Sequence, residues 1–188
     1  GLYSVSEERF VTEKEVEEGD FREIIKLKER NYFFKMSKYQ DALKQHINDN
    51  PDFIKPVTRK NEILGFLEKD LNDLCISRPK SRLEWGIELP FDEDYVTYVW
   101  FDALLNYITA IGWQVDEEKF NKWWPVNYQL MGKDILTTHA VYWCTMLMAL
   151  GESLPQTILA HGWWLMGDSK MSKSKGNVVR PLELIDEY

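Results

Sequence analysis

The sequence is poor in cysteine, in long apolar runs and in positive charge. Its two cysteines, Cys75 and Cys144, stand far apart with no CxxC or CxH companion, which argues against a disulfide framework and a cysteine zinc site and points to a reducing, cytoplasm-like compartment. No run approaches the roughly 18 apolar residues of a membrane span, and the opening GLYSVSEERF lacks the basic-then-apolar layout of a secretory signal. It also lacks an initiator methionine, as a chain beginning in mid-protein would. Lys and Arg number 23 against 31 Asp and Glu, a formal charge of −8 with a pI near 5. Such a chain repels polyanions in general, so any nucleic-acid contact has to come through local patches. No internal repeat, HExxH or Ser/His/Asp order stands out, and His46, His139 and His161 have no metal-like spacing. Asp92 and Asp94 lie in an acidic run that reads as a solvated turn.

What is present is enough to fold: 188 residues, 44% hydrophobic, with an aromatic content of 14% that includes eight tryptophans. After a charged opening in which TEKEVEEGD reads as a helical turn, Met36, Tyr39, Leu43 and Ile47 recur on one face of a helix that Asn50-Pro51 ends. A second helix is expected over about residues 58–69, presenting Ile63, Leu64 and Leu67 and packing on the first. From residue 74 the pattern alternates. LCIS, YVTYVW, NYQLMG and TILAHGWWL read as strands, FDALLNYITAIG and about 133–150 as helices, and Pro181 opens a last helix. That order predicts an α/β doubly wound parallel sheet, with ligands at the carboxyl ends of the strands.

Two constellations carry chemistry. At MGKDILTTHAVYW, Gly132 closes a strand with a tight turn, and Lys133 and Asp134 stand at a helix N-terminus, where unpaired N–H groups can hold a nucleotide. From there Ile135, His139 and Trp143 share one face, as Trp100, Leu104 and Tyr107 do one strand earlier; the two stripes would line an aromatic pocket, or form core. A thioether packs well in such a pocket, with contacts of about 0.3–1.5 kcal/mol each. The second constellation is 170-KMSKSKGNVVR-180, with three lysines, an arginine and no acid in an acidic chain. Small residues between lysines make a loop that can fold over a polyphosphate, and Gly176 and Asn177 turn the chain back.

Lys170-Met171-Ser172-Lys173-Ser174 resembles the KMSKS loop of the class I aminoacyl-tRNA synthetases. YVWFDALLNY, GKDILTTHAVYW, NYFFKM and ISRPKSRLEWGIELP are similar to the methionyl-tRNA synthetases of bacterial or organellar type. The resemblance implies the second half of a Rossmann-like catalytic domain at residues 76–188, preceded at 1–75 by part of an α+β connective peptide. It implies a methionine pocket from Trp100, Ala103, Leu104, Tyr107, Ile135, His139 and Trp143. ATP contacts would come from Gly132, Asp134, Ile135, His161, Ser172, Ser174 and Glu88, with Lys173 stabilising the triphosphate and Lys170 assisting. The implied partners are L-methionine, ATP with Mg²⁺, and tRNA(Met), in the cytoplasm and without a membrane.

Two departures from that pattern shape the expectation. Relatives begin the connective peptide GLYCxxCERFYTEKE, whereas Ser4 and Glu7 stand at the cysteine positions here; neither reproduces a thiolate site, so no structural zinc is expected. The HIGH-type motif is missing, so the chain reads as an internal fragment that is inactive alone. Other readings are a different class I synthetase and a non-catalytic module derived from one.

Overall fold

The computed structural model describes residues 2–5, 9–11, 13–18, 23–26, 29–172, 176–180, 182, 184 and 185. It forms two compact units, one of residues 1–32 with 75–97 and one of 33–74 with 98–188. In chain order, β1 (Leu2–Ser4), β2 (Arg9–Val11), α1 (Glu13–Glu18) and β3 (Ile24–Lys26) open the first unit. The first part of the second unit includes α2 (Gln40–Asp49), β4 (Ile54–Lys55) and α3 (Val57–Phe66). The chain returns to the first for β5 (Ser77–Pro79), β6 (Glu88–Leu89) and β7 (Asp92–Thr97). It then completes the second with α4 (Val99–Thr109), α5 (Glu117–Trp123), β8 (Tyr128–Gly132), a helical run ending in α6 (Cys144–Leu150), β9 (Thr157–His161), and the pair β10 (Leu165–Met166) and β11 (Ser169–Lys170).

The first unit is antiparallel throughout. β1 pairs with β2 and β3, and β7 lies between β5 and β6. The sequence places YVTYVW in the parallel sheet, but β7 stops at Thr97 and belongs to this antiparallel one. Val96 is buried between the half-buried Tyr95 and Thr97, as in a strand with one covered face, and extended Tyr98 then caps α4. Asp92 is not a solvated turn residue, since it begins β7 and accepts a hydrogen bond of 2.7 Å from the Tyr32 hydroxyl. Tyr32 N donates to Ser77 Oγ at 2.8 Å, and the Arg82 guanidinium, paired with Glu29, lies 4.1 Å from the Tyr3 ring centroid. These contacts join the start of the chain to residues 75–97. The compact units divide after residues 32, 74 and 97: one division falls beside the expected 75/76 boundary, and residues 1–32 group with 75–97.

The second unit holds the parallel sheet, in the order β8-β9-β4. β8 and β9 run in register from Tyr128 opposite Thr157 to Gly132 opposite His161, and Ile158 pairs with Ile54. β4 is a strand that sequence pattern does not announce, being two residues long. Around the sheet the expected helices form: α2, preceded by a 3₁₀ turn at Met36–Tyr39, buries Met36, Leu43 and Ile47, and α3 packs on it through Ile63. Leu67 is also buried, whereas Leu64 is only half-buried. A second core gathers Leu104, Ile108, Phe120, Trp124, Trp143, Met146 and Leu147, each contributing on the order of 1.5–3 kcal/mol by burial. Phe120 comes from α5, a helix the sequence reading lacks; its N-cap Asp116 accepts from Lys119 N at 3.0 Å.

The helix expected over 133–150 is present but not uniform. It opens as a 3₁₀ turn at Lys133–Ile135, widens to a π-helical segment at Thr138–Trp143 and ends as α6 at Gly151, whose φ of 76° closes it. The helix expected from Pro181 falls partly outside the described residues; Leu182, Leu184 and Ile185 are helical.

Candidate functional site

The carboxyl ends of β8 and β9 lie side by side, which brings Gly132 and His161 together. Gly132 does not make the tight turn expected of it. Its φ is −69°, open to any residue, and a Cβ built on it meets nothing within 4 Å. Beyond it, the Asp134 carboxylate accepts 2.7 Å from the Trp163 indole N–H and 3.4 Å from Lys170 Nζ. The Trp163 hydrogen bond, with the positive charges of Lys170 and Lys133, holds the Asp134 carboxyl below the usual carboxylate range. Lys133 Nζ and Lys170 Nζ lie 4.1 and 4.4 Å from the centroid of the Trp163 ring. His161 is exposed, its Nδ1 2.7 Å from Gly162 O.

One residue along, Ile135 turns toward a second subsite. Its carbonyl lies 2.8 Å from His139 Nδ1, and the Tyr107 hydroxyl lies 2.8 Å from His139 Nε2. A carbonyl can only accept, so Nδ1 carries the proton and Nε2 accepts from Tyr107. Burial pulls the imidazole below its ordinary value, against the pull of the Ile135 carbonyl, and the ring is neutral at pH 7. The Tyr107 ring sits 5.6 Å from His139 and 5.9 Å from Trp143. The Trp143 indole donates to Gln129 Oε1 at 3.1 Å in the interior, while Gln129 Nε2 is buried without a partner. A cavity of about 310 Å³ opens beside this group, lined by Tyr107, Trp124, Tyr128, Gln129 and Leu130 among others.

Of the residues expected in the methionine pocket, Tyr107, Ile135, His139 and Trp143 come together. Leu104 is in the core, 1% exposed, because the face of α4 that packs is Leu104 with Ile108. Ala103 is exposed on another face, where it lines an open cleft with Asp102 and Asn106, and Trp100 is half-buried against the core cluster. Of the expected nucleotide residues, Gly132, Asp134 and His161 meet at the strand ends, joined by Lys170. Ser172 N donates to Asn177 Oδ1 at 2.9 Å, and Asn177 Nδ2 reaches Ser169 Oγ and Lys170 O, so Asn177 ties the two sides of the loop. Lys173 and Ser174 lie outside the described residues. Glu88 is in the first unit, paired with Lys80. Trp163 and Gln129 escaped the sequence reading. Gln129 leaves a trace, as an amide inside the apolar strand YQLMG; the contacts of Trp163 depend on tertiary structure.

The chain is 52% identical over 194 residues to the methionine–tRNA ligase of Clostridium acetobutylicum, covering all of itself and 30% of that protein. It is 45% identical over 192 residues to that of Rickettsia typhi, of which it covers 38%. A crystal structure of Mycobacterium tuberculosis methionyl-tRNA synthetase bound by methionyl-adenylate matches with a TM-score of 0.82 at 42% identity, over all of this chain and 38% of that one. The chain thus spans well under half the length of these relatives. The family model described as tRNA synthetases class I (M) matches residues 20–188, and the chain belongs to that family.

Proposed function

We propose that this chain supplies the methionine pocket and the pyrophosphate-binding loop of a methionyl-tRNA synthetase, which activates L-methionine with ATP and transfers it to tRNA(Met) in the cytoplasm. The observation that carries this reading is the adjacency of Asp134 and Ile135. The carboxylate of the first belongs to a cationic cluster at the strand ends, and the carbonyl of the second orients His139 in an aromatic pocket. An amino acid in the pocket and a nucleotide at the strand ends would meet there.

In the proposed reaction the methionine carboxylate attacks the α-phosphorus of ATP, taken up as its magnesium complex. A carboxylate oxygen–phosphorus bond forms and the bond to the β,γ-phosphates breaks, so pyrophosphate leaves with the negative charge. The protein's part is to position both partners and neutralise that charge. Lys173 is assigned the departing pyrophosphate, with Lys170 assisting. Gly132, Asp134, Ile135, His161, Ser172, Ser174 and Glu88 are assigned to ATP. Tyr107, Ile135, His139 and Trp143, with Trp100, Ala103 and Leu104, are assigned to the methionine side chain. Neutral His139 lets a thioether enter without facing a buried charge.

Structural zinc is not part of the proposal. Ser4 is buried in β1 and offers a hydroxyl, not a thiolate. Among the described residues, no helix is long and apolar enough to cross a membrane. The test of the function is to install this chain in place of the matching segment of the C. acetobutylicum relative. Methionine-dependent ATP–pyrophosphate exchange is expected; no exchange, or equal exchange with isoleucine, would refute it.

A further inference from the structure

Trp163 has no part in the roles assigned so far, yet it is the hub of the cationic cluster. Its indole N–H holds the Asp134 carboxylate at 2.7 Å, and two ammonium groups, from Lys133 and Lys170, lie 4.1 and 4.4 Å from its ring centroid. The two cations are therefore no further apart than the sum of those distances, and they repel. Two features of Trp163 offset the repulsion. Its ring presents the negative face of a large π-system, the best of the aromatic side chains for holding a cation, and its N–H fixes the carboxylate that accepts from Lys170. One carboxylate against two ammonium groups leaves an excess of positive charge at the carboxyl end of a parallel sheet. The indole is 47% exposed, so this group opens to solvent.

We propose that Trp163 is a positioning residue for the nucleotide: it holds Lys133, from the end of β8, and Lys170, from β11, about one ring so that both meet the phosphates of the incoming ligand. The inference rests on the adenylation reading and extends it to a residue that touches neither reacting atom. An anion that arrives draws Lys170 from Asp134 without having to order it first, because the ring already fixes where that ammonium stands.

The test uses the relative carrying this chain, with Trp163→Leu and Trp163→Phe. Affinity for pyrophosphate and for adenosine is measured by calorimetry, and KM for methionine by exchange. Trp163→Leu should weaken pyrophosphate about tenfold, in line with the loss of two cation–π contacts. Trp163→Phe, which keeps a ring but no N–H, should lose about threefold, and both variants should bind adenosine within about twofold of the parent. Because the residue is exposed, unchanged thermal unfolding is expected and is checked. Equal losses for adenosine and pyrophosphate would mean a merely structural role and overturn the proposal. So would a Leu variant that binds pyrophosphate like the parent, or a Phe variant as weak as Leu. Absent methionine-dependent exchange with pyrophosphate binding still dependent on Trp163 would sink the adenylation reading and leave this assignment standing.

Discussion

Trp143 and Gln129 form a buried pair whose energetics can be separated by a double-mutant cycle. Trp143→Phe removes the indole N–H and leaves Gln129 Oε1 in the interior without its donor, at about 1–3 kcal/mol for a stranded buried acceptor. Shrinking a fully buried ring in the cluster with Trp124 and Leu147 adds about 1–2 kcal/mol of lost packing. The expected cost is about 3 kcal/mol. Gln129→Leu strands the Trp143 N–H at a similar cost, but it also deletes Gln129 Nε2, which is buried and unpaired already. Those two effects oppose each other, so Gln129→Leu alone should cost only about 0–1 kcal/mol. In the double variant neither partner is left stranded, and the loss should fall below the sum of the single variants by both stranding costs together, about 2–6 kcal/mol. Urea unfolding of the four proteins measures this. Additivity within about 0.5 kcal/mol, the usual agreement for independent sites, would show that the indole–amide hydrogen bond does not couple the two residues.

Stability should also report His139. Its folded value lies below the ordinary 6.5, so between those two values the unfolded chain binds more protons. The contribution is therefore complete above about pH 6.5 and is lost as pH falls toward the depressed value. Burial depresses His46 in the same direction, so His139→Gln should flatten only part of the slope in thermal unfolding between pH 7.5 and 5. Gly132→Ala should leave stability within about 0.5 kcal/mol, since its Cβ would meet nothing within 4 Å, while ATP affinity measured by calorimetry falls. In the synthetase carrying this chain, Lys173→Ala should slow methionyl-adenylate formation in single-turnover assays by orders of magnitude, with methionine affinity nearly unchanged.

Most of the helices are readable because their signals are local; α5, only seven residues long, is the exception. Met36, Leu43 and Ile47 recur at helical spacing and are buried in that order. β8 and β9 were readable as apolar runs entering glycine-marked junctions. The identity of the sheet that YVTYVW joins was not, because alternation tells that a strand has one buried face and not which partner it finds. β4 carried too few residues for any periodicity to register. The same distinction divides the site. Ile135 with His139 is an i, i+4 pair and was seen on one face, whereas the bond from Trp163 to Asp134 joins residues 29 apart in sequence. Helical spacing groups Leu104 with Trp100 and Tyr107, and only tertiary packing shows that it is buried with Ile108 in the cluster that holds Trp143.

Cys144, which the sequence left without a role, bears on how the pocket is built. The segment Thr138–Trp143 that carries His139 and Trp143 is π-helical, and such widened turns leave carbonyls with poorer backbone partners; they occur often at functional sites. The Cys144 thiol donates to the His139 carbonyl at 3.3 Å, and the Thr145 hydroxyl lies 2.9 Å from the carbonyls of both Val141 and Tyr142. Complete burial pushes the Cys144 thiol up, so it stays protonated and remains a donor. Two side chains just past the widened turn thus compensate carbonyls within it. The turn can then set the spacing of His139 and Trp143 against the Tyr107 ring, which touches both.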